Sequence, residues 1–435
     1  MFSSAKRREP TFILAGVLLW AAVASAQSEN PGTVSCPDLD NTSASGNYRG
    51  GRSGNAPPGN VSKLPIRSLL YRGAETRIYT RFMPWFGDPH HRDVGYHSDD
   101  RLQVNRQVAD MISRGIHGAI ADWYGPGSGL KNQSVILLMK EAELHGGFEF
   151  AVSEDAGSIQ ECAKRGCDPT EKLISDLSYA AQHFEESPAY LRFEARPAIF
   201  FFGLEKFSID WRRVRQALPL NPLFFFRNSG TFSNPDADGA YSWIAPETAG
   251  SGDPMALQYL ERFYSKAQHS EKLAMGSAYK GFNDADAGWG KGRTIDQQCG
   301  QTWLATFAEA GRFYSDRHQL SALIIPTWND YEEGTEIETG IDNCVTVTAA
   351  IAENQLSWNI RGRENTIDHF TILAQQQSQW GRMKDIPARE HSINLRDLSL
   401  PAETSALCVE AVGKASMLNH RSESLRFSAP KQPSP

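Results

Sequence analysis

Eight short apolar runs, rich in β-branched and aromatic residues, punctuate this chain at a spacing that few folds can accommodate. They lie at 77–86, 118–124, 148–154, 197–202, 223–227, 239–244, 274–279 and 323–328. Amphipathic stretches separate most of them, at 100–114, 135–145, 170–186, 210–218, 256–269 and 303–313. In the first, Leu102, Val104, Val108 and Ile112 recur at helical spacing, with Ser98 or Asp99 able to cap. The connection 228–238 reads as a loop. Strands alternating with helices predict an α/β fold, a (β/α)8 TIM-type barrel over residues 65–344. A doubly wound open sheet is the rival, but it more often carries a phosphate-binding Gly turn early, and none is present.

After Cys344 the pattern changes. Short β-like runs at 345–358, 369–374, 392–398 and 406–412 predict a small all-β sandwich over 345–428. Residues 27–64 are rich in Ser, Gly, Asn and Pro and read as a flexible leader. Residues 429–435 read as a disordered tail. At the start, Lys6-Arg7-Arg8, an apolar stretch and Ala24-Ser25-Ala26 form a signal-peptide pattern over 1–26. The apolar part is short for a membrane span, so no stable membrane insertion is expected after cleavage, and the location is secreted or periplasmic. A monomer is expected.

In a parallel barrel the working residues stand at the carboxyl ends of the strands, so the residues just beyond each run are the informative ones. After the first come Trp85, Asp88, His90 and His91; after the second, Asp122, Trp123 and Tyr124; after the third, Glu154 and Asp155. Glu205, then Arg227 and Asn228, then Trp243 and Glu247, then Tyr279, Lys280, Asn283 and Asp284 succeed the next four. The eighth opens into Trp328-Asn329-Asp330-Tyr331-Glu332-Glu333-Gly334-Thr335-Glu336-Ile337-Glu338. Carboxylates, Trp and Tyr recur at these points.

Asp330 and Glu333 are the sharpest pair. Three residues apart on a strand-to-loop turn, both can face the barrel mouth. One can protonate a leaving oxygen if burial raises its pKa, and the other can attack or activate water. Glu332 and Glu336 compete for these roles. Trp85, Trp123 and Tyr124 can stack on sugar faces. Asp122 and Glu154 can bind sugar hydroxyls, and His91, Tyr279, Trp328 and Asn329 complete the expected substrate-binding set.

No metal and no cofactor are expected. His90, His91 and His97 lack the spacing of a metal site, and Asn283-Asp284-Ala285-Asp286 lacks the Gly and Glu of a calcium loop and reads as a turn.

The motif at 328–338 resembles the Trp/Phe-Asn-Glu-Trp-x-Glu-Gly-Thr-x-Ile-Glu signature of glycoside hydrolase family 99-like proteins. It is also similar to the Trp-Asn-Asp-Tyr-x-Glu pattern of glycoside hydrolase family 71. Phe82-Met83-Pro84-Trp85-Phe86 with Val94-Gly95-Tyr96 resembles the first-strand region of the same group, and 100–115 with 118–125 resembles its first helix and second strand. The resemblance implies a metal-free (β/α)8 hydrolase of α-linked glucan or mannan. It implies that Asp330 assists the substrate's own 2-hydroxyl and that Glu333 is the general acid/base. Asp330 stands where the family 99 pattern has Glu. The shorter arm leaves room for a water, so inversion, as the family 71 resemblance implies, stands beside retention. Tyr331 also departs from the usual Trp. The C-terminal part resembles a fibronectin type III-like domain.

The expected partner is thus a poly- or oligosaccharide. The alternative is a secreted glycan-binding protein that does not cleave. A formal net charge of -7 argues against nucleic acid and fits a neutral or basic substrate. Six cysteines in an exported chain predict disulfides. They allow about fifteen pairings. The close pair Cys162–Cys167 is favoured; Cys299 could tie to Cys344 across the motif, which leaves Cys36 with Cys408. Asn41, Asn60 and Asn132 stand in Asn-x-Ser/Thr sequences.

Overall fold

The computed structural model of the protein describes Cys36 and residues 60–427. The expected signal peptide, the leader up to residue 59 and the tail lie outside the described residues. Eight parallel strands close into a barrel: β1 (Arg77–Phe82), β2 (Gly118–Trp123), β3 (Glu149–Asp155), β4 (Arg196–Phe202), β5 (Leu223–Arg227), β6 (Gly239–Tyr241), β7 (Leu273–Ser277) and β8 (Ala322–Ile325). Each pairs with the next in chain order, and β1 closes on β8 with Ile78 opposite Leu323 and Tyr79 opposite Ile324. The (β/α)8 architecture rests on this closed register. Strands covered on both faces read as apolar runs rather than as alternation, and every residue of β2 is buried. At Gly239 the barrel is so tight that a Cβ would lie 2.3 Å from the Phe225 ring.

The helices are α1 (Arg101–Ser113), α2 (Leu130–Leu144), α3 (Ala156–Lys164), α4 (Pro169–His183), α5 (Trp211–Ala217), α6 (Leu257–Ala267) and α7 (Gln301–Ala310). Asp100 caps α1 by accepting from Leu102 N at 2.9 Å. The nearby Ser98, a candidate cap by sequence, instead accepts from Phe86 N. Helix α3 was not expected. It begins directly after β3, with Asp155 serving both as strand end and as N-cap, so no loop signal announces it. The connection from β5 to β6 holds a single 3-10 turn, Ser229–Ser233. Among the described residues, no helix is long and apolar enough to cross a membrane.

The C-terminal part is antiparallel. Its strands are β9 (Thr346–Ala352), β10 (Gln355–Arg361), β11 (Ile367–Gln376), β12 (Gln379–Pro387), β13 (Ser392–Asn394), β14 (Thr404–Gly413), β15 (His420–Arg421) and β16 (Leu425–Arg426). One sheet has the order β9-β10-β13, the other β12-β11-β14-β15 with β16 also on β14. Val347, Leu356, Trp358, Phe370, Ile372, Leu407 and Val409 fill the core they share. Strand β12 has no counterpart among the runs expected from sequence, because it is a largely exposed edge with little apolar alternation.

This domain is fastened to the barrel. Ala415 and Met417 belong to the barrel's own core. The indole of Trp303 on α7 donates to Ala415 O at 3.1 Å, and Ser62 N donates to Met417 O at 2.8 Å. Disulfides join Cys299 to Cys344, Cys36 to Cys408 and Cys162 to Cys167. Asn60 and Asn132 are buried and engaged, Asn60 donating to Glu410 and Asn132 accepting from Trp123.

Met417 is buried in the barrel core yet comes from the C-terminal domain. Met417→Ala is therefore expected to lower the unfolding free energy by about 2–5 kcal/mol. Chemical denaturation checks this; a change within error would mean that the two parts do not support each other.

Candidate active site

The site is built on the loop after β8. Strand β8 ends at Ile325, and the chain does not fray but folds back on itself. Thr327 N donates to Thr335 O at 3.1 Å, and the two threonine hydroxyls meet at 2.9 Å. Thr327 Oγ1 also accepts from Asp330 N at 2.8 Å. Trp328 N donates to Arg81 O, continuing the β8-to-β1 pairing past the strand end. Asn329 completes the stitch: its Oδ1 accepts from Met83 N at 2.8 Å and its Nδ2 donates to Met83 O at 3.0 Å.

Buried charge holds the loop from below. Arg114, fully buried at the end of α1, donates to Ile337 O at 2.6 Å and to Glu338 O at 2.8 Å. Its guanidinium lies 4.8 Å from the Trp328 ring centre and pairs with Asp110. Burial works to raise the Asp110 carboxyl, but Arg114 and Lys63 outweigh it and hold the group below its ordinary range. Glu338 sits above, accepting from Tyr331 Oη at 2.7 Å, Tyr96 Oη at 3.0 Å and Gln107 Nε2 at 2.8 Å. Burial pushes Glu338 up to about 7 despite these donors. A second buried pair, Lys280 and Glu336 at 3.4 Å, underlies the same turn, and burial pushes Glu336 up to about 7.

Above this platform the strand ends surround a cavity of about 800 Å³. Asp330 and Glu333 both line it. Asp330 Oδ1 accepts from the backbone N–H of Glu332 at 3.0 Å and of Glu333 at 2.9 Å, which fixes the carboxyl on the turn. Glu333 accepts from the indole of Trp289 at 3.0 Å. Burial raises Asp330 well above the usual carboxylate range, and the charge of Glu333 adds to it. Burial raises Glu333 as well, opposed by the Trp289 bond. Interacting carboxyls titrate as a pair, each making the other harder to ionise.

Six of the residues expected from sequence meet at this cavity: Asp330, Glu333, Trp85, His91, Asp122 and Tyr124. His91 stacks on Trp85 with ring centres 4.7 Å apart, and Trp289 meets both edge-on. Glu332 turns away from the cavity and holds His91 Nδ1 at 2.8 Å. Asp122 pairs with Arg81 on the barrel floor; burial nevertheless raises its carboxyl, and Arg81 and Tyr124 oppose the rise.

The other five do not line it. Trp123 packs outward against Tyr179 and donates to Asn132. Glu154 also faces outward, toward Asp176, and burial with that neighbour raises it well above its ordinary value. Tyr279 donates to Met255 O and Ala256 O. Trp328 lies on Arg114, and Asn329 is spent on Met83. The cause at the strand ends is parity. Side chains alternate along a strand, so beside the inward-facing Asp122 and Tyr124 the outward one is Trp123, and beside Asp155 it is Glu154.

Asp155 is accordingly the third-strand acid that reaches the cavity. Burial and the neighbouring Asp122 push it up to about 8. Arg227, Asn228, Trp243 and Glu247, named from sequence as strand-end residues without a role, also line the space, as do Arg81, Phe202, Lys206, Trp289 and Arg293, which the sequence did not single out. One signal was available: Arg81 stands inside β1, followed directly by Phe82 in a strand that is buried, where a charge needs a reason. Among the described residues, no group of three or more His, Cys, Asp or Glu converges to hold a metal.

No protein-family model matches this chain, and no curated protein matches it in sequence. Among solved structures it is similar to a GH99 endo-α-mannosidase from Bacteroides thetaiotaomicron, with 18% sequence identity and a TM-score of 0.48 over 61% of this chain and 88% of that chain. A glycoside hydrolase-like protein aligns at 10% identity and a TM-score of 0.45, over 61% of this chain and 87% of that chain. An endo-β-1,4-mannanase from Thermotoga petrophila aligns at 11% identity and a TM-score of 0.36, over 83% of this chain and 99% of that chain.

Two outcomes are expected from this geometry. Arg114→Met leaves Asp110 buried with only Lys63 and releases two loop carbonyls. It should cost about 3–5 kcal/mol of stability, read by denaturant titration. A loss below about 1 kcal/mol would show that the loop does not depend on this anchor. The second concerns pH. Glu336 and Glu338, at about 7, and Asp155, at about 8, hold their protons in the folded protein, whereas their ordinary values are 4.5 and 3.8. The folded state therefore binds more protons than the unfolded chain until those groups ionise, and stability falls as pH rises through that range. The melting temperature should drop between about pH 6.5 and 8, a window above the ordinary histidine value, and Glu338→Gln should flatten the slope. A melting temperature that rises across this window would contradict the assignment.

Proposed function

We propose that this protein is an exported glycoside hydrolase that cleaves α-linked glucan or mannan, with Asp330 and Glu333 as its acid/base pair. One observation carries the reading. Two carboxyls three residues apart on a rigid turn, Asp330 buried and Glu333 half-buried, line an 800 Å³ cavity at the carboxyl end of a parallel barrel, with Trp85 and Trp289 beside them. The cavity is large enough for a few sugar rings, and the indoles offer flat apolar faces for them.

The chemistry derives from two carboxyls whose pKa values are both raised. Cleaving a glycosidic bond needs one carboxyl to give a proton to the leaving oxygen and one carboxylate to act on the opposite side. Glu333 is the donor, as the 328–338 resemblance implies. Burial raises its carboxyl, the direction a proton donor needs. Asp330 is the partner. Its two backbone N–H donors stabilise the ionised form once the pair has given up a proton. It acts either on the sugar's 2-hydroxyl or on a water, and the two routes retain or invert the configuration. Asp122 and Tyr124 hold sugar hydroxyls at the floor, and His91, braced by Glu332 and Trp85, holds the rim.

The three disulfides support an oxidising location, in line with the signal-peptide pattern at 1–26. The C-terminal domain, in the manner of fibronectin type III-like modules, serves as spacer or glycan binder.

The test is release of reducing sugar from α-1,3-glucan and α-mannan. Asp330→Asn and Glu333→Gln should each lower turnover by about 10²–10⁴-fold while the melting temperature stays near that of the unaltered protein. An aryl glycoside whose leaving group needs no protonation separates the roles: Glu333→Gln should recover most of its loss on it, and Asp330→Asn should not. Binding of glycans without release of sugar, unchanged in Asp330→Asn, would turn the reading to a glycan-binding protein.

A further inference from the structure

One wall of the cavity is crowded with positive charge that the proposed acid/base chemistry does not use. Phe202, at the end of β4, is its hub. The Arg81 guanidinium lies 5.6 Å from that ring centre and 5.3 Å from the ring of Trp243. The Arg227 guanidinium, from the end of β5, lies 4.6 Å from the same Phe202 ring. Lys206 stands in the turn just after β4 and also lines the cavity. Two guanidinium groups thus flank one aromatic ring, and Lys206 adds a third cation to the cavity lining.

Their compensation is incomplete. Arg81 is 1% exposed and has one carboxylate partner, Asp122, through Nη2. Its Nε and Nη1 have no hydrogen-bond partner among the described residues. A buried guanidinium with two unanswered donors is costly, and buried polar groups without partners are rare enough to need a reason. Arg227 meets Glu205 at 2.8 Å, but that carboxylate is largely exposed and outside the cavity lining, and Arg227 Nε is again buried and without a partner. Lys206, exposed at the rim, makes no ion pair among the described residues. Of the other acids in the lining, Glu247 pairs with Arg293 at 3.7 Å, and Asp155 is held protonated to about 8 by burial and Asp122, so near neutral pH it adds little negative charge.

We propose that this wall is a subsite for an anionic sugar, whose carboxylate or sulfate oxygens dock on Arg81, Lys206 and Arg227. This rests on the glycan-hydrolase reading of the cavity and goes beyond it: the sugar at this subsite carries an acidic group that plain glucan and mannan lack. Planar guanidinium groups match the paired oxygens of a carboxylate, and charge-assisted bonds in a sheltered cavity are the strong ones. A hydroxyl can accept one of these N–H bonds but leaves the convergent charge unanswered. Phe202 and Trp243 supply the apolar face beside the charged group, as a sugar ring bearing a carboxylate requires.

The experiment measures binding apart from cleavage. Calorimetric titration with the Asp330→Asn/Glu333→Gln double variant uses three probes: a uronic-acid oligosaccharide, the same oligosaccharide with its carboxyls reduced to hydroxymethyl groups, and a sulfated oligosaccharide. Hydrolysis of all three by the unaltered protein is followed in parallel. The carboxylated or the sulfated probe should bind at least ~10-fold tighter than the reduced one, and the preference should shrink as salt rises. Whichever anion binds tighter names the group. Lys206→Met and Arg227→Met, at partly exposed positions, should each erase most of the preference. Equal or tighter binding of the reduced probe, or a preference untouched by both variants, overturns the inference. Cleavage of neutral glycans with no preference leaves the hydrolase reading standing without the subsite. Tight binding of the acidic probe with no cleavage of any glycan does the reverse.

Discussion

The buried guanidinium of Arg114 is the point on which the loop after β8 depends. It reaches from the last turn of α1 to the carbonyls of Ile337 and Glu338, and it lies on the face of Trp328. Those contacts clamp both ends of the turn that carries Asp330 and Glu333. A loop alone would place two carboxyls loosely, and chemistry at a glycosidic bond tolerates little misplacement. Here the loop is tied to α1 by charge, to β1 by Asn329 and to itself by the two threonines. The helix, the first strand and the eighth strand thereby act as one rigid mount.

The same burial has a cost and a use. Arg114 must be answered by Asp110, Lys280 by Glu336, and Glu338 by three donors, all in space closed to water. Such pairs seldom add net stability against apolar side chains of the same size. What they supply is a fixed geometry and a low-dielectric setting in which carboxyls keep their protons. Asp330 and Glu333 owe their raised pKa values chiefly to that setting. Stability given up beneath the loop is thus linked to reactivity above it.

Much of this was legible in the chain. Apolar runs at regular intervals outlined all eight barrel strands, because strands buried on both faces have no polar alternation to obscure them. Asp330 and Glu333 were legible because an apolar strand ended in a cluster of acids. What the sequence could not give was parity at strand ends. Trp123 and Glu154 are neighbours of Tyr124 and Asp155, and only the register decides which of each pair looks inward. Trp328 and Asn329 look catalytic by composition but are consumed by Arg114 and Met83, contacts made across more than two hundred residues of chain. Arg81, Lys206 and Arg227 come from three separate segments, and nothing in any one of them foretells that they line one cavity.

That convergence also limits what net charge can say. A chain with a formal charge of -7 invites the expectation of a neutral or basic substrate. Net charge describes the field at a distance, and at physiological salt that field is screened within about 8 Å. Inside the cavity the local arrangement decides. Four of the acids there, Asp122, Asp155, Asp330 and Glu333, are raised by burial, Asp155 to about 8. Arginine cannot answer burial in the same way, because its guanidinium stays charged at any accessible pH. Burying acids and arginines together therefore leaves a cavity more positive than its residue count implies. An acidic chain can in this way present a cationic pocket, and the sign of the substrate is set by the pocket.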